Sequence, residues 1–305
     1  MLGFVPQPNL PCYLVRFLGG EEGVSLLIYP VLQSLSLSKN ESMSTPKKQH
    51  FVPAVYLRRF CNAEGRIHTY DIEKKELRSS KPENVAIKKH IYTIIRNGNK
   101  DVSIEEYLSE IETKYAEIVR KIEEDRFKQL DDNDLSTIIW FISFLYARNL
   151  ANVNRFSEIS KEWLSFIENT MSDYTLRQES EDHLRPFLQI NTKPDYVQKM
   201  TMQTMFEVAQ EMSKLLVNEG DWFFYKSQAS SEFITTDNPM GNTVRFPLSK
   251  HILFMRVTAK VEGLSNRENV LSISSEAVNQ INREIASTAR RFLYGSNSEL
   301  LKSYK

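Results

Sequence analysis

One short segment, residues 138–146, constrains the fold most strongly because it is apolar on nearly every side of a helix. Its apolar residues are Ile138, Ile139, Trp140, Phe141, Ile142, Phe144, Leu145 and Tyr146. A helix that is apolar all round has no face for water, so it lies inside a protein or a membrane. No apolar run in the chain approaches the ~20 residues that span a bilayer. The segment therefore predicts a central buried helix in a protein without a membrane partner, capped by Asp131 or Asp132.

A second helix is predicted just before this segment. Ser103 and Glu106 have the spacing of a capping box, in which each side chain accepts a hydrogen bond from the backbone N–H of the other residue. Apolar residues then recur at helical spacing: Ile104, Tyr107, Leu108, Ile111, Tyr115, Ile118, Val119 and Ile122. This pattern is typical of an amphipathic helix with one face on the core.

The helical region continues after the central segment. Apolar spacing extends it, with a bend or break expected near Asn149–Asn154. Residues 172–194 lack periodicity and predict a loop, after which Asp195 caps another helix. Ser274 or Ser275 caps a final helix.

Short strands are predicted on both sides of the helices. A hairpin is expected over Arg66–Ser80, and aromatic or β-branched strands are expected over residues 222–225, 233–236, 244–246 and 252–257. Strands, helices, strands and a final helix, in that order, indicate an α+β fold. We expect a short N-terminal β-hairpin, a central helical layer, C-terminal antiparallel strands and a final helix.

Composition and motifs exclude several classes of protein. The 305 residues contain 39 Lys or Arg and 39 Asp or Glu, so no global field recruits nucleic acid or an anionic membrane. Two cysteines, Cys12 and Cys61, exclude a disulfide framework and a four-thiolate zinc site. The absence of GxGxxG, P-loop, HExxH, GxSxG and CxxC motifs argues against dinucleotide-binding folds, P-loop NTPases, zinc proteases and α/β-hydrolases.

The first 42 residues differ from the rest of the chain. Glu21 and Glu22 precede the apolar run at residues 26–29, and no basic region precedes it, so a signal peptide fits poorly. Met43 is followed by Ser-Thr-Pro-Lys-Lys, which is typical of a polar N-terminus. We expect residues 1–42 to be a poorly ordered extension upstream of the natural start. Residues 43–305 are then a single α+β domain of a cytoplasmic protein.

Two motifs carry a resemblance to a known family. The opening motif runs Lys48-Gln49-His50-Phe51-Val52-Pro53 and continues with Tyr56-Leu57-Arg58-Arg59-Phe60, and the later motif contains Thr236-Asp237-Asn238-Pro239. Over roughly residues 47–295 the chain resembles the domain of unknown function 4238 family. Two departures are Ala54, where a Gln is usual, and Arg148-Asn149-Leu150, where Arg-x-Pro is expected. The resemblance supplies no activity, but it implies that these positions recur together: His50, Pro53, Asp237, Asn238 and Pro239.

His50, Asp237 and Asn238 are the candidate catalytic residues. His50 precedes a helix N-terminus, where the helix dipole favours a neutral imidazole that acts as a base or a ligand. Asp237 ends a predicted strand, where a carboxylate can serve as a general base, orient a His or bind a metal. If His50, Asp237 and Glu232 converge, they could hold a divalent metal ion that activates water. The structural alternative is that Asp237-Asn238-Pro239 is simply a turn.

Charge is distributed unevenly along the chain. Residues 43–100 contain 13 Lys or Arg against 5 Asp or Glu, whereas residues 101–135 contain 5 against 12. Two faces that neutralise each other explain this pattern, and so does a basic face that binds nucleic acid. In the second case Tyr56, Tyr70 and Tyr92 are available to stack on bases. Arg148, after the central helix, could pair with Asp237 or bind a phosphate, and of these two roles we expect the structural ion pair.

Two functions from different classes follow from these patterns. The first is a hydrolase acting on a phosphoester or nucleic acid, with an acid/base or metal-assisted site at His50 and Asp237. The second is a non-catalytic interaction or regulatory protein in which the same motifs are structural. The sequence leaves open whether the protein is an enzyme.

Overall fold

The protein is described here by a computed structural model over residues 48–96, 99–172, 196–218, 221–239, 245–257 and 270–304. The expected extension over residues 1–42, the predicted loop after residue 172 and the Asp195 cap lie outside the described residues. The helices are α1 (Ala54–Leu57), α2 (Ser103–Glu123), α3 (Asp132–Ala147), α4 (Leu150–Ser172), α5 (Tyr196–Asn218), α6 (Ser275–Thr288) and α7 (Ser298–Lys302). The first strands are β1 (Lys48–His50), β2 (Ile67–Asp71), β3 (Glu76–Ser80), β4 (Ile87–Lys89), β5 (Ile94–Arg96) and β6 (Asn99–Asp101). The later strands are β7 (Asp221–Ser227), β8 (Thr235–Thr236), β9 (Arg245–Pro247), β10 (Ile252–Val257), β11 (Val270–Ile273) and β12 (Phe292–Gly295).

The predicted central helix is α3. Asp131 caps it by accepting the Asp134 N–H at 2.8 Å, and Asp134 completes a capping box. Phe141 and Leu145 are buried, as predicted, but Trp140 and Tyr146 are only half-buried. Trp140 lies beside an open cleft of about 520 Å³ between α2 and α3, which explains its exposure.

Helix α3 packs against α2 and α5, and α5 also packs against α4. None of the described helices is long and apolar enough to cross a membrane.

The capping box predicted at Ser103 does not form. The helix is preceded by Val102, which makes no side-chain cap. Instead, the Asp101 carboxylate accepts from both the backbone N–H of Ser103, at 3.0 Å, and its hydroxyl, at 2.6 Å. The predicted cap at the final long helix is correct, because Ser274 accepts the N–H of Ala277 at 3.3 Å.

Strands from the two ends of the described chain share one sheet. The order is β3-β2-β12-β8, and all of these pairs are antiparallel. Leu293 in β12 therefore lies between Tyr70 in β2 and Thr236 in β8. The predicted N-terminal hairpin, β2–β3, pairs through β2 with β12 and so belongs to the same sheet as the C-terminal strands β12 and β8. A second sheet has the order β11-β7-β10-β9, in which β11 runs parallel to β7 and the other pairs are antiparallel. The α+β class is confirmed.

Aromatic side chains connect the opening motif to the helices and the second sheet. The Tyr56 ring stacks on Phe246 of β9 at 5.3 Å, and the Tyr115 ring of α2 stacks on Phe141 of α3 at 3.7 Å. The Tyr56 hydroxyl donates to the Pro247 carbonyl at 3.0 Å and lies 2.7 Å from the Thr235 hydroxyl. The opening motif is therefore part of the core.

Candidate functional site

Asp237 directly follows β8, and its carboxylate binds the backbone. Oδ1 accepts the N–H of Arg290 at 2.9 Å, and Oδ2 accepts the N–H of Arg291 at 3.0 Å. The Asp237 N–H donates to the Phe292 carbonyl at 3.2 Å. Burial raises the pKa of Asp237, while these hydrogen bonds oppose the rise. The carboxylate thus fastens the turn after β8 to the start of β12.

Asn238 is buried and links three parts of the fold. Its Nδ2 donates to the Thr288 carbonyl at 3.0 Å, and the Thr288 hydroxyl donates back to the Asn238 carbonyl at 2.9 Å. Its Oδ1 accepts from Nδ2 of Asn149 at 3.1 Å. Its N–H donates to the Thr236 hydroxyl at 3.0 Å. Asn238 therefore connects the end of α6 and the first sheet to the junction between α3 and α4.

Glu232 lies in a separate polar cleft of about 300 Å³. Its carboxylate pairs with Lys250 at 3.1 Å and accepts a hydrogen bond from the Ser296 hydroxyl. Nε2 of His251 lies 3.9 Å from the same carboxylate. His68 and three Asn or Ser side chains complete the polar rim of the cleft.

The sequence left open a metal-binding set of His50, Asp237 and Glu232. Across the ranges given above, no group of three or more His, Cys, Asp or Glu side chains is placed to hold a metal ion. Asp237 is occupied by backbone N–H groups, and Glu232 is occupied by Lys250 and Ser296. Within the described hydrogen bonds and ion pairs, His50 and Asp237 are not partners of each other.

His50 ends β1, where it is paired with Ile87 of β4. Burial lowers the pKa of His50, and the Glu112 carboxylate opposes this change. The Arg148 guanidinium lowers the pKa further, so the imidazole is neutral at pH 7. Its Nε2 is buried and has no hydrogen-bond partner among the described residues.

Arg148 carries a buried positive charge that acts on His50, Tyr92 and Glu105. Its side chain is only 2% exposed and pairs with Glu112 at 2.8 Å. The predicted structural ion pair therefore exists, but Glu112 rather than Asp237 is the partner, because the two oxygens of Asp237 already bind the backbone. The Nε atom of Arg148 is buried and has no partner in the described part of the chain.

Glu105 completes the site, and the sequence analysis missed it. It lies two turns before Glu112 on the same face of α2. Burial raises the pKa of Glu105 to about 7; Glu112 also raises it, whereas Arg148 and a hydrogen bond from Gln49 lower it. Its Oε2 is buried without a partner among the described residues. We call His50, Glu105, Glu112 and Arg148 the Arg148 cluster.

Gln49 and Tyr92 hold β1 against this cluster. Gln49 is fully buried; its Oε1 accepts the Tyr92 N–H at 2.8 Å, and its Nε2 donates to the Thr93 hydroxyl at 3.0 Å. The Tyr92 hydroxyl donates to the His50 carbonyl at 3.1 Å. The backbone position of His50 is therefore determined by buried neighbours on a segment more than 40 residues away.

The arrangement combines an acid, a base and a cation. A carboxyl group with a pKa near 7 can donate a proton at neutral pH, and a neutral imidazole can accept one. A guanidinium binds carboxylate or phosphate oxygens through its planar N–H donors. Perturbed carboxyl and imidazole groups around one buried cation are typical of functional sites.

The tyrosines expected to stack on nucleic acid bases cannot do so in this fold. Tyr56, Tyr70 and Tyr92 are 0%, 6% and 2% exposed. Their rings belong to the core, because the opening motif and β2 pack inward. A nucleic acid that contacted the basic region over residues 43–100 would not find these rings on the surface.

The chain was compared with family models, curated proteins and solved structures. No curated protein and no solved structure matches the chain. A family model matches residues 48–299, which include the opening motif, the Arg148 cluster and the Asp237-Asn238-Pro239 motif. The match covers most of the chain and confirms the resemblance found in the two motifs. The chain belongs to the family described as Protein of unknown function (DUF4238).

Proposed function

We propose that the protein is a hydrolase that acts on a phosphoester at the Arg148 cluster. One observation carries the proposal. Three buried side-chain polar atoms of this cluster have no hydrogen-bond partner among the described residues: His50 Nε2, Glu105 Oε2 and Arg148 Nε. Roughly 90% or more of buried polar groups in folded proteins have a hydrogen-bond partner, so three such atoms together suggest that a bound molecule supplies the partners.

The chemistry of the three groups assigns their roles. The Nε–H of Arg148 donates to an oxygen of the phosphate group. Glu105, whose pKa burial raises to about 7, donates a proton to the leaving group. His50 accepts a proton from the attacking water through its free Nε2. Glu112 holds Arg148 through its ion pair and does not react.

Hydrolysis assays with matched variants test this proposal. The substrates are 4-nitrophenyl phosphate, bis(4-nitrophenyl) phosphate and single- and double-stranded oligonucleotides, each with and without Mg²⁺ and Mn²⁺. Glu105→Gln and His50→Gln should each lower kcat by ~10²–10⁴-fold. Glu106→Gln, on the next and exposed residue of α2, should leave kcat unchanged.

A non-catalytic interaction or regulatory protein is the second candidate. It is favoured by Asp237 and Asn238, whose side chains bind the backbone and Asn149 rather than an open site. This candidate predicts no turnover of any of these substrates. It also predicts that Glu105→Gln and His50→Gln change only the melting temperature.

A further inference from the structure

The backbone that carries Arg148 is a two-residue junction between two helices. Only Arg148 and Asn149 separate α3 from α4. The Arg148 N–H donates to the Phe144 carbonyl at 2.9 Å, which continues the helical pattern of α3. Oδ1 of Asn149 accepts the Asn152 N–H at 2.9 Å and so caps α4. Asn149 is 3% exposed.

Asn149 also reaches outside the helices. Its Nδ2 donates to Oδ1 of Asn238 at 3.1 Å, a contact between residues 89 positions apart. Asn238 is 6% exposed, so water does not compete strongly for this bond. Thr288 holds Asn238 from the other side through two hydrogen bonds. The amide pair is therefore a fixed bridge from the α6–β12 region to the α3–α4 junction.

We propose that Asn238 is a positioning residue, which acts through Asn149 to hold Arg148 at its place in the cluster. This inference rests on the proposed function, since it explains how the anion-binding group of that site is oriented. It gives the Asp237-Asn238-Pro239 motif a role at the site without contact with the substrate.

The contacts of Arg148 itself show why a positioning residue is needed. Its ion-pair partner Glu112 is 25% exposed and has a long, adjustable side chain, so this pair alone does not define where the guanidinium lies. The Nε atom makes no bond within the described residues. The position of the side chain therefore depends on its backbone, and the bridge is the contact that ties this backbone to the sheet.

NMR titration of the Glu105 carboxyl carbon in the full chain detects a change in the position of Arg148, because the Arg148 charge lowers the pKa of Glu105. The other charged group that acts on Glu105 is Glu112. Asn149→Ser keeps an oxygen that caps α4 but removes the donor to Asn238. If Arg148 moves, the titration midpoint should rise by about 0.5 or more towards the value in Arg148→Met.

Two further variants complete the design. Asn152→Ala removes the bond from Asn152 Nδ2 to the Tyr146 carbonyl at the same junction, without touching the bridge, and should leave the midpoint unchanged. Thr288→Val removes one anchor of Asn238 while conserving shape, and should raise the midpoint by less than Asn149→Ser does. An unchanged Glu105 titration midpoint in both Asn149→Ser and Thr288→Val overturns the inference. A wild-type midpoint near the ordinary value of 4.5 overturns the proposed function instead.

Discussion

Glu105→Gln should stabilise the protein above neutral pH, although it removes a proposed catalytic group. Burial raises the pKa of Glu105 from 4.5 to about 7, so the folded chain disfavours the charged carboxylate. Between these two values the folded state binds more protons than the unfolded state. The free energy of unfolding therefore falls as the pH rises from about 4.5 to 7 and is level above that range. A neutral amide at this position does not have this pH-dependent loss.

The size of the effect follows from the same pKa values. A difference of about 2.5 between them corresponds to ~3 kcal/mol at 1.36 kcal/mol per pKa unit. Because Glu105 is only partly buried, water screens part of this penalty, and we expect ~1–2 kcal/mol. The gain for Glu105→Gln should be absent near pH 4.5 and complete by pH 8.

Urea denaturation of the wild type and the variant at pH 4.5, 6 and 8 measures this gain. The difference between the two proteins cancels the titration of groups that do not interact with Glu105. Glu106→Gln, which changes an exposed neighbour, should follow the wild type at each pH. The reasoning is refuted if Glu105→Gln has the same stability difference from the wild type at all three pH values.

Four other predictions concern the stability of the fold and the reactivity of the Cys61 thiol. Leu145→Ala should lower the free energy of unfolding by ~2–5 kcal/mol, since Leu145 is 1% exposed; a loss below ~1 kcal/mol in urea would contradict its place in the core. Asp237→Asn replaces one of two accepting oxygens with a donor that faces a backbone N–H, and should cost ~1–3 kcal/mol while kcat is retained. Burial raises the pKa of Cys61 to about 11, so peptide mapping should show its alkylation at pH 8 to be at least ~100-fold slower in the native chain than in urea. The Arg291 guanidinium holds the pKa of Asp71 below 3.8, so Asp71→Asn should be less stable than the wild type at pH 7, and the gap should close as the pH falls through that lowered pKa.

Patterns that depend on neighbours in the sequence were predictable. The all-round apolar segment identified α3, and the caps at Asp131 and Ser274 were found because a cap and its helix are adjacent. The capping box predicted at Ser103 was wrong because Asp101, two residues earlier, offers a stronger acceptor to the Ser103 N–H. The sequence around a helix start restricts which residues can cap it, and the side chain with the strongest acceptor nearby determines which hydrogen bonds form.

The site was predictable only in part, because its groups come from distant segments. His50 was singled out, but its neighbours Glu112 and Arg148 lie 62 and 98 positions further along the chain. Glu105 is one of several glutamates in α2, and nothing local separates it from exposed Glu106. Its burial arises where β1 and the α3–α4 junction meet α2. The Asp237 carboxylate likewise finds its partners at Arg290 and Arg291 after a full helix has intervened.

The most direct test of the central claim is the NMR signal of the Arg148 Nε–H during titration with inorganic phosphate, the product of phosphomonoester hydrolysis. If the Arg148 cluster binds a phosphate group, this signal should shift downfield and saturate as the Nε–H gains an acceptor. The exposed Arg58, which is paired with Glu83, serves as the internal control and should not show a saturable shift. An Arg148 signal that stays unchanged at millimolar phosphate, or that moves only in parallel with that of Arg58, would contradict the account.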